Sequence, residues 1–276
     1  MQSQIHLGAQ GWNYDAWVGP FYPPGTRAAD YLDVYARAFD TVEIDSTWYA
    51  IPSATAVQGW RKRAPDGFTY SLKLPQEITH RNRLHDSAEV LAQFCARARE
   101  LGAALGLILI QLPPDFSPLA LTALANFLPL LPRDLRFAIE FRDRAWLNKA
   151  HGERVLPLLR EHGVALALVD SPWIPRALTF KLIERLERWA ISEFAYVRWI
   201  GPRALTDFSR VQIERERELA EWAAAFRALS NYTANIYGYF NNHYQGHSPA
   251  SCQQFKTLLG LPCVDFGQLS AQPTLF

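Results

Sequence analysis

Three cysteines in 276 residues, Cys95, Cys252 and Cys263, are odd in number and widely spaced. They form neither a disulfide framework nor a zinc knuckle. A cytoplasmic, reducing setting is expected, with all three thiols as small apolar fillers. The chain also lacks a charge of one sign: 28 Lys and Arg face 27 Asp and Glu, for a net charge of +1. No global basic field therefore demands a nucleic acid, although a local patch still can. No apolar run reaches membrane-spanning length, so no membrane partner is expected. The first residues, Met1 to Trp12, carry no basic region followed by an apolar stretch, so no signal peptide is expected. Phosphate loop, dinucleotide fingerprint, H-E-x-x-H pair and nucleophile elbow are all missing. Serine-hydrolase chemistry is thereby disfavoured. No Ser- or Gly-rich linker divides the chain, and no repeat recurs at solenoid spacing.

What is present is a rhythm. Eight short apolar runs, at 5–10, 42–45, 68–73, 107–111, 137–142, 164–170, 195–198 and 235–241, are separated mostly by helix-like segments. The fourth and sixth are apolar nearly throughout and stop at Pro113-Pro114 and Ser171-Pro172, as parallel strands buried on both faces do. Helices are predicted over 28–38, 53–63, 87–101, 117–128, 151–162, 178–189, 210–229 and 249–259. In 87–101, Val90, Leu91, Phe94, Ala98 and Leu101 recur at helical spacing, with Gly102 as a C-cap. The charge run from Glu214 to Glu218 reads as a solvated helix face. Eight strands alternating with helices make an α/β fold, a single (β/α)8 TIM barrel over residues 1–266, with a short tail over 267–276.

In that fold the C-terminal strand ends form the chemical face. Each run ends in a residue that a strand interior would not tolerate. Glu43 and Asp45 share a face of the second strand, and Glu140 and Arg142 share one of the fifth. Lys73, Gln111, Asp170, Arg198 and Asn241 arrive from five others. Such acids and bases are costly to converge unless they pair or bind something. Pairing that merely satisfies its own members is the bland alternative. The sharper reading makes Glu43 and Glu140 a general acid/base pair. Lys73, Arg142 and Arg198 would hold phosphate or developing negative charge. Asp170 would orient a base. No metal motif is strong, but Glu43, Glu140 and Asp170 offer oxygen ligands for Mg²⁺ or Mn²⁺.

The loops above this face carry His80, Arg81, Arg83 and His85 after the third strand, and Asn242, His243 and His247 after the eighth. Trp12, Tyr14 and Trp17 follow the first strand, and Trp48 and Tyr49 the second. Aromatics beside Arg and His suit stacking on a sugar or base with phosphate contacts, although such rings also pack loops over barrels. Trp12, Asp45, Tyr49, His80, Arg83, Gln111, Arg142, Arg198, Asn241, Asn242 and His243 are the candidate substrate-binding residues. The expected ligand is a small phosphorylated sugar or a nucleic acid phosphodiester. The alternatives are a sugar isomerase or two-carboxylate glycosidase, and a non-catalytic nucleic acid binding module.

Ordered motifs along nearly the whole chain carry a resemblance. They include Gly8-x-x-Gly-Trp12, Trp17-x-Gly19 with Phe21-Tyr-Pro23, Phe39-x-Thr-Val-Glu-Ile44 and Phe68-x-Tyr-x-x-Lys73-x-Pro75. Gln111-x-Pro-Pro-x-Phe116, Glu140-Phe-Arg142 with Trp146, Asp170-Ser-Pro172, Tyr196-Val-Arg198 and Phe240-Asn-Asn242 continue the series. The chain resembles the YecE-like proteins, domain of unknown function family 72. The resemblance implies a TIM barrel and no particular reaction. The chain departs from the pattern at Asp45, where Asn is usual, and at Ala9 and Gln10, which replace small hydroxyl residues. Asp143 and Ile200 stand where His is frequent, which weakens any histidine-based mechanism.

The chain ends Gln272-Pro-Thr-Leu-Phe276. This is similar to the Q-x-x-L-F peptide by which bacterial repair proteins dock on the sliding clamp. Leu275 and Phe276 would enter an apolar pocket while the Gln272 amide hydrogen-bonds. An incidental apolar terminus packed on its own barrel is the alternative.

Overall fold

The computed structural model describes residues 3–184 and 193–269. Eight parallel strands appear where the apolar runs place them: β1 (Gln4–Ala9), β2 (Thr41–Ile44), β3 (Thr69–Lys73), β4 (Leu105–Gln111), β5 (Phe137–Glu140), β6 (Val164–Asp170), β7 (Phe194–Trp199) and β8 (Asn235–Phe240). The ladder runs β1-β8-β7-β6-β5-β4-β3-β2. Around it lie α1 (Tyr31–Ala38), α2 (Ala54–Arg63), α3 (Ala88–Arg99), α4 (Leu121–Phe127), α5 (Lys149–Glu161), α6 (Arg176–Ile183), α7 (Glu216–Leu229), α8 (Asn242–Gln245) and α9 (Ser248–Leu258). The protein is a (β/α)8 TIM barrel.

Between β1 and β2 the sheet closes through a side chain. The Ala9 amide donates to the Tyr35 hydroxyl at 2.7 Å, and that hydroxyl donates to the Thr41 carbonyl at 2.9 Å. The strands meet so closely here that a Cβ on Gly8 would sit 2.0 Å from the Thr41 carbonyl oxygen. Above this seam, the Gly11 amide donates to the Glu43 carbonyl at 2.8 Å. Tyr35→Phe would orphan a buried amide and a buried carbonyl. A loss of about 1–3 kcal/mol is expected, read as a lower denaturant midpoint at constant slope. An unchanged midpoint would show that the seam does not depend on the relay.

The barrel interior differs from the usual branched apolar filling. Thr41, Thr69 and Ser71 point inward, and the Tyr239 hydroxyl lies 2.7 Å from both Thr41 Oγ1 and Ser71 Oγ. One large ring with a satisfied hydroxyl therefore fills space between small polar neighbours. The apolar layer lies outside the sheet, where Trp199 stacks on Phe240 at 4.0 Å and on Phe226 of α7 at 5.6 Å.

Two expectations need correction, and a third is seen only in part. The helix expected over 210–229 begins at Glu216, because the Gln212 and Ile213 amides donate to the Gln245 carbonyl and hold that segment as a loop. Of the helix expected over 178–189, Arg176–Ile183 is seen and residues 185–192 lie outside the described residues. Phe266, the last residue of the expected barrel, packs edge-on against Phe21 at 4.8 Å. Cys95 and Cys252 are buried as expected, but Cys263 is exposed. The clamp-like peptide at Gln272, Leu275 and Phe276 lies outside the described residues. Among the described residues, no helix is long and apolar enough to cross a membrane.

Candidate functional site

The upper layer of the barrel interior is a chain of opposite charges. Arg198, on β7, donates from Nε to Glu43 Oε2 at 2.9 Å and from Nη2 to Glu43 Oε1. Its Nη1 donates to Glu140 Oε2. The other Glu140 oxygen accepts from Arg142 Nε at 2.9 Å. Tyr196, two residues before Arg198 and on the same face, donates its hydroxyl to Glu43. Glu43, Glu140 and Arg198 are at most 2% exposed. This is a fork-to-fork ion network of the kind that only good geometry makes tolerable in a core.

The charges respond to that arrangement. For Glu140, burial pushes the carboxyl up, but the Arg198 and Arg142 guanidiniums outweigh it and hold the pKa down to about 2. Glu43 is raised, because burial dominates the pull of Arg198 and Asp45 adds to the rise. Burial alone would lower Arg198; its two carboxylates reverse this and hold it well above its ordinary value. The first-layer carboxylates are thus engaged and enclosed.

Above them lies a second set of groups whose partnering is incomplete. Lys73 is pulled below its ordinary pKa, first by burial and then by Arg198, with Asp45 opposing. Its ammonium stands 3.6 Å from Asp45 Oδ1 and 5.0 Å over the Trp48 ring. Asp45 Oδ1 is buried with no hydrogen-bond partner among the described residues, and so are Arg142 Nη2 and Trp48 Nε1. The Arg142 guanidinium carbon lies over the Trp173 ring at 4.1 Å, with that of Arg203 5.4 Å from the same ring. His80 belongs to a π-helical turn, Glu77–Arg81, a form that recurs at functional sites. Its pKa falls to about 4 through partial burial and the charges of Lys73 and Arg142, so the ring is neutral at pH 7. Gln111 Nε2 donates toward His80 Nε2 at 3.4 Å. That leaves Nδ1 protonated, donating to Thr79 Oγ1 at 2.8 Å. The loop that follows holds Arg83, Leu84 and Asp86 at φ of 50°, 73° and 43°. Left-handed backbone at three non-glycine residues is strained, and such strain clusters at functional loops.

Other candidate residues have different placements. Asp170 accepts from Trp222 Nε1 at 2.9 Å and Tyr244 Oη at 3.2 Å, both on helices outside the sheet. Val169, not Asp170, shares the inward face with Arg198. Glu43, Glu140 and Asp170 therefore do not converge as a ligand trio for Mg²⁺ or Mn²⁺. Among the described residues, no group of three or more His, Cys, Asp or Glu is arranged to hold a metal. Arg83 clamps the neighbouring loop through Asp115, at 2.9 Å to both side chain and carbonyl. Asn241 bonds Gln10 at 2.8 Å and caps α8, while Asn242 accepts from Trp17 Nε1 and Ser248. His243 packs edge-on against Phe208. Tyr49 is 70% exposed, on the rim. Gln10, Tyr14, Tyr196 and Trp173 join the mouth without having been singled out as site residues. Tyr196 was readable from its two-residue offset to Arg198, and Gln10 from its place at the end of the first run.

The family model described as "Protein of unknown function DUF72" matches residues 6–274. The chain belongs to the DUF72 family. The resemblance to YecE-like proteins holds in the relatives: UPF0759 protein YecE of Escherichia coli K12 is 31% identical over 168 residues. That match covers 60% of this chain and 59% of YecE, so the chain spans under two thirds of that relative's length. UPF0759 protein YunF of Bacillus subtilis is 24% identical over 272 residues, covering 93% of this chain and 95% of YunF. A DUF72 family protein of Thermotoga maritima superposes with a TM-score of 0.74 at 24% identity, covering 93% of this DUF72 chain and 99% of that one. One of Enterococcus faecalis V583 gives 0.70 at 20% identity, covering 94% and 99%. These structural likenesses speak to the fold.

Proposed function

We propose that the barrel mouth binds a small phosphorylated ligand and that the protein is an enzyme acting on it. One observation carries this reading: Arg142 Nη2 is buried without an acceptor, while the carboxylates beside it are already paired. A buried cationic donor left unpaired costs free energy, so the site is built for an incoming anion. Lys73 lies in the same mouth, and its charge and that of Arg142 both reach His80. In this reading Lys73 and Arg142 take the phosphate oxygens. Asp45, with its unbonded Oδ1, accepts a proton from a substrate hydroxyl. Glu43, Arg198 and Glu140 form the fixed floor beneath. Gln111 and His80 border the ligand from β4 and the strained loop.

The test is a turnover screen of phosphomonoesters, phosphodiesters and sugar phosphates, repeated with Lys73→Ala and Arg142→Ala. Each substitution is expected to lower kcat/KM on the accepted substrate by about a hundredfold. Turnover of unphosphorylated sugars, indifferent to both substitutions, would instead support a sugar isomerase or glycosidase.

A link to DNA repair rests on the tail and is proposed with it: Gln272, Leu275 and Phe276 dock on a bacterial sliding clamp. A short peptide that must order on binding gives affinity on the order of micromolar. Deleting Leu275 and Phe276 is expected to abolish clamp binding while leaving the melting temperature unchanged. A marked fall in melting temperature would assign those residues to the barrel's own packing.

A further inference from the structure

Beside the mouth, an open cavity of about 530 Å³ lies between the loops that follow β1 and β2. Its lining includes Trp12, Tyr14, Trp60, Asn13, Ser46 and Asp45. Trp12 and Trp60 meet edge to face at 6.3 Å. Tyr14 is fixed by its hydroxyl, which donates to the Gln10 carbonyl at 3.0 Å. Gly11, at φ of 87°, turns the first loop so that these rings stand together. The cavity is thus walled by aromatic rings and edged by a carboxylate, an amide and a hydroxyl. Asp45 belongs to both places: it lines the cavity, and its Oδ1 lies 3.6 Å from Lys73 Nζ and 3.8 Å from Arg198 Nη2.

We propose that this cavity is the subsite for a sugar ring, so that the ligand is a sugar phosphate with its ring against Trp12 and Trp60 and its phosphate toward Lys73 and Arg142. The inference rests on the phosphate reading of the mouth and adds the class of the attached group. Aromatic faces receive the C–H surface of a sugar, while carboxylate and amide groups take its hydroxyls. A purely apolar ligand would leave Asp45 Oδ1 buried without a donor, whereas a ring hydroxyl supplies one. Asp45 alone stands between the cavity and the cations Lys73 and Arg198, so a ring in the cavity lies within one side chain of the Lys73 ammonium.

The experiment is calorimetric titration with inorganic phosphate, ribose phosphate, glucose phosphate, phenyl phosphate and the two free sugars. It uses the wild-type chain, Trp12→Leu and Trp60→Leu. At least one sugar phosphate is expected to bind more tightly than inorganic phosphate. Each leucine variant should weaken that sugar phosphate about tenfold and leave inorganic phosphate unchanged. Circular dichroism melting confirms that the variants are folded, and two variants on different elements guard against one failing. Sugar phosphates that bind no better than inorganic phosphate overturn the subsite while the anion reading stands. Phenyl phosphate binding as tightly as the sugar phosphates overturns the sugar assignment. Free sugar that binds and is lost in Trp12→Leu, with no phosphate binding at all, supports the ring site and overturns the anion reading beneath it.

Discussion

Replacing Arg198 by methionine is expected to destabilise the barrel by about 3–5 kcal/mol at pH 7. Methionine fills part of the volume but leaves Glu43 and Glu140 facing each other in a core where both are at most 1% exposed. The pH dependence should then invert. In the wild type, Glu140 is held to about 2 against an ordinary 4.5. It therefore contributes stability above the ordinary glutamate range, and that stability is lost as pH falls toward about 2. Glu43 has the opposite sign: its raised pKa means that its ionised form costs stability at neutral pH, relieved on acidification. Without Arg198, Glu43 loses its counter-charge and Glu140 keeps only Arg142, so both carboxyls move upward. Arg198→Met should therefore gain stability relative to wild type as pH falls from about 7 to 5. Urea unfolding at the two pH values checks this. Wild-type stability and wild-type pH dependence in the variant would show that the network is not sealed. Replacing Glu43, Glu140 and Arg198 together with apolar residues of similar volume should recover only part of the loss, because Arg142 then keeps a buried charge without Glu140.

The double variant Lys73→Ala with Arg142→Ala is expected to lose phosphate binding by a factor of about a hundred or more. In the proposed site each group would supply a charge-assisted hydrogen bond from a largely buried side chain. The single variants separate their parts. Arg142→Ala should cost more, because its planar fork is already held by Glu140 and Trp173 and loses little freedom on binding. Lys73, lowered by burial, should bind phosphate less well as pH rises through its depressed pKa, giving alkaline loss that Lys73→Arg moves upward. Equal phosphate affinity in wild type and double variant, at low ionic strength, would remove both residues from the ligand site.

The fold was legible because parallel strands covered on both faces leave apolar runs, and these ended close to their observed bounds. The charged ring was legible for a related reason: Glu43, Lys73, Glu140 and Arg198 stand at strand ends where a branched apolar residue is usual. Their partnering was not. Sequence spacing places Glu43 and Glu140 on one mouth, but not that a single guanidinium occupies both and seals them. Asp170 stands on the outward face because one step of strand alternation separates it from Val169, which shares the inward face with Arg198. It ends the sixth run just as Lys73 ends the third, yet its partners are Trp222 and Tyr244. Arg83 is placed by its loop in a way the sequence does not show. Its backbone is left-handed and its guanidinium pairs with Asp115, and no local pattern encodes that partner.

The most direct test of an anion site at the mouth is a crystal grown without phosphate and soaked with tungstate, whose anomalous signal marks its position. The expected map has a peak within hydrogen-bonding reach of Arg142 Nη2 and Lys73 Nζ, absent from Arg142→Ala crystals soaked in the same way. A mouth with no peak at saturating tungstate, or Arg142 Nη2 bonded instead to a protein acceptor, would contradict it.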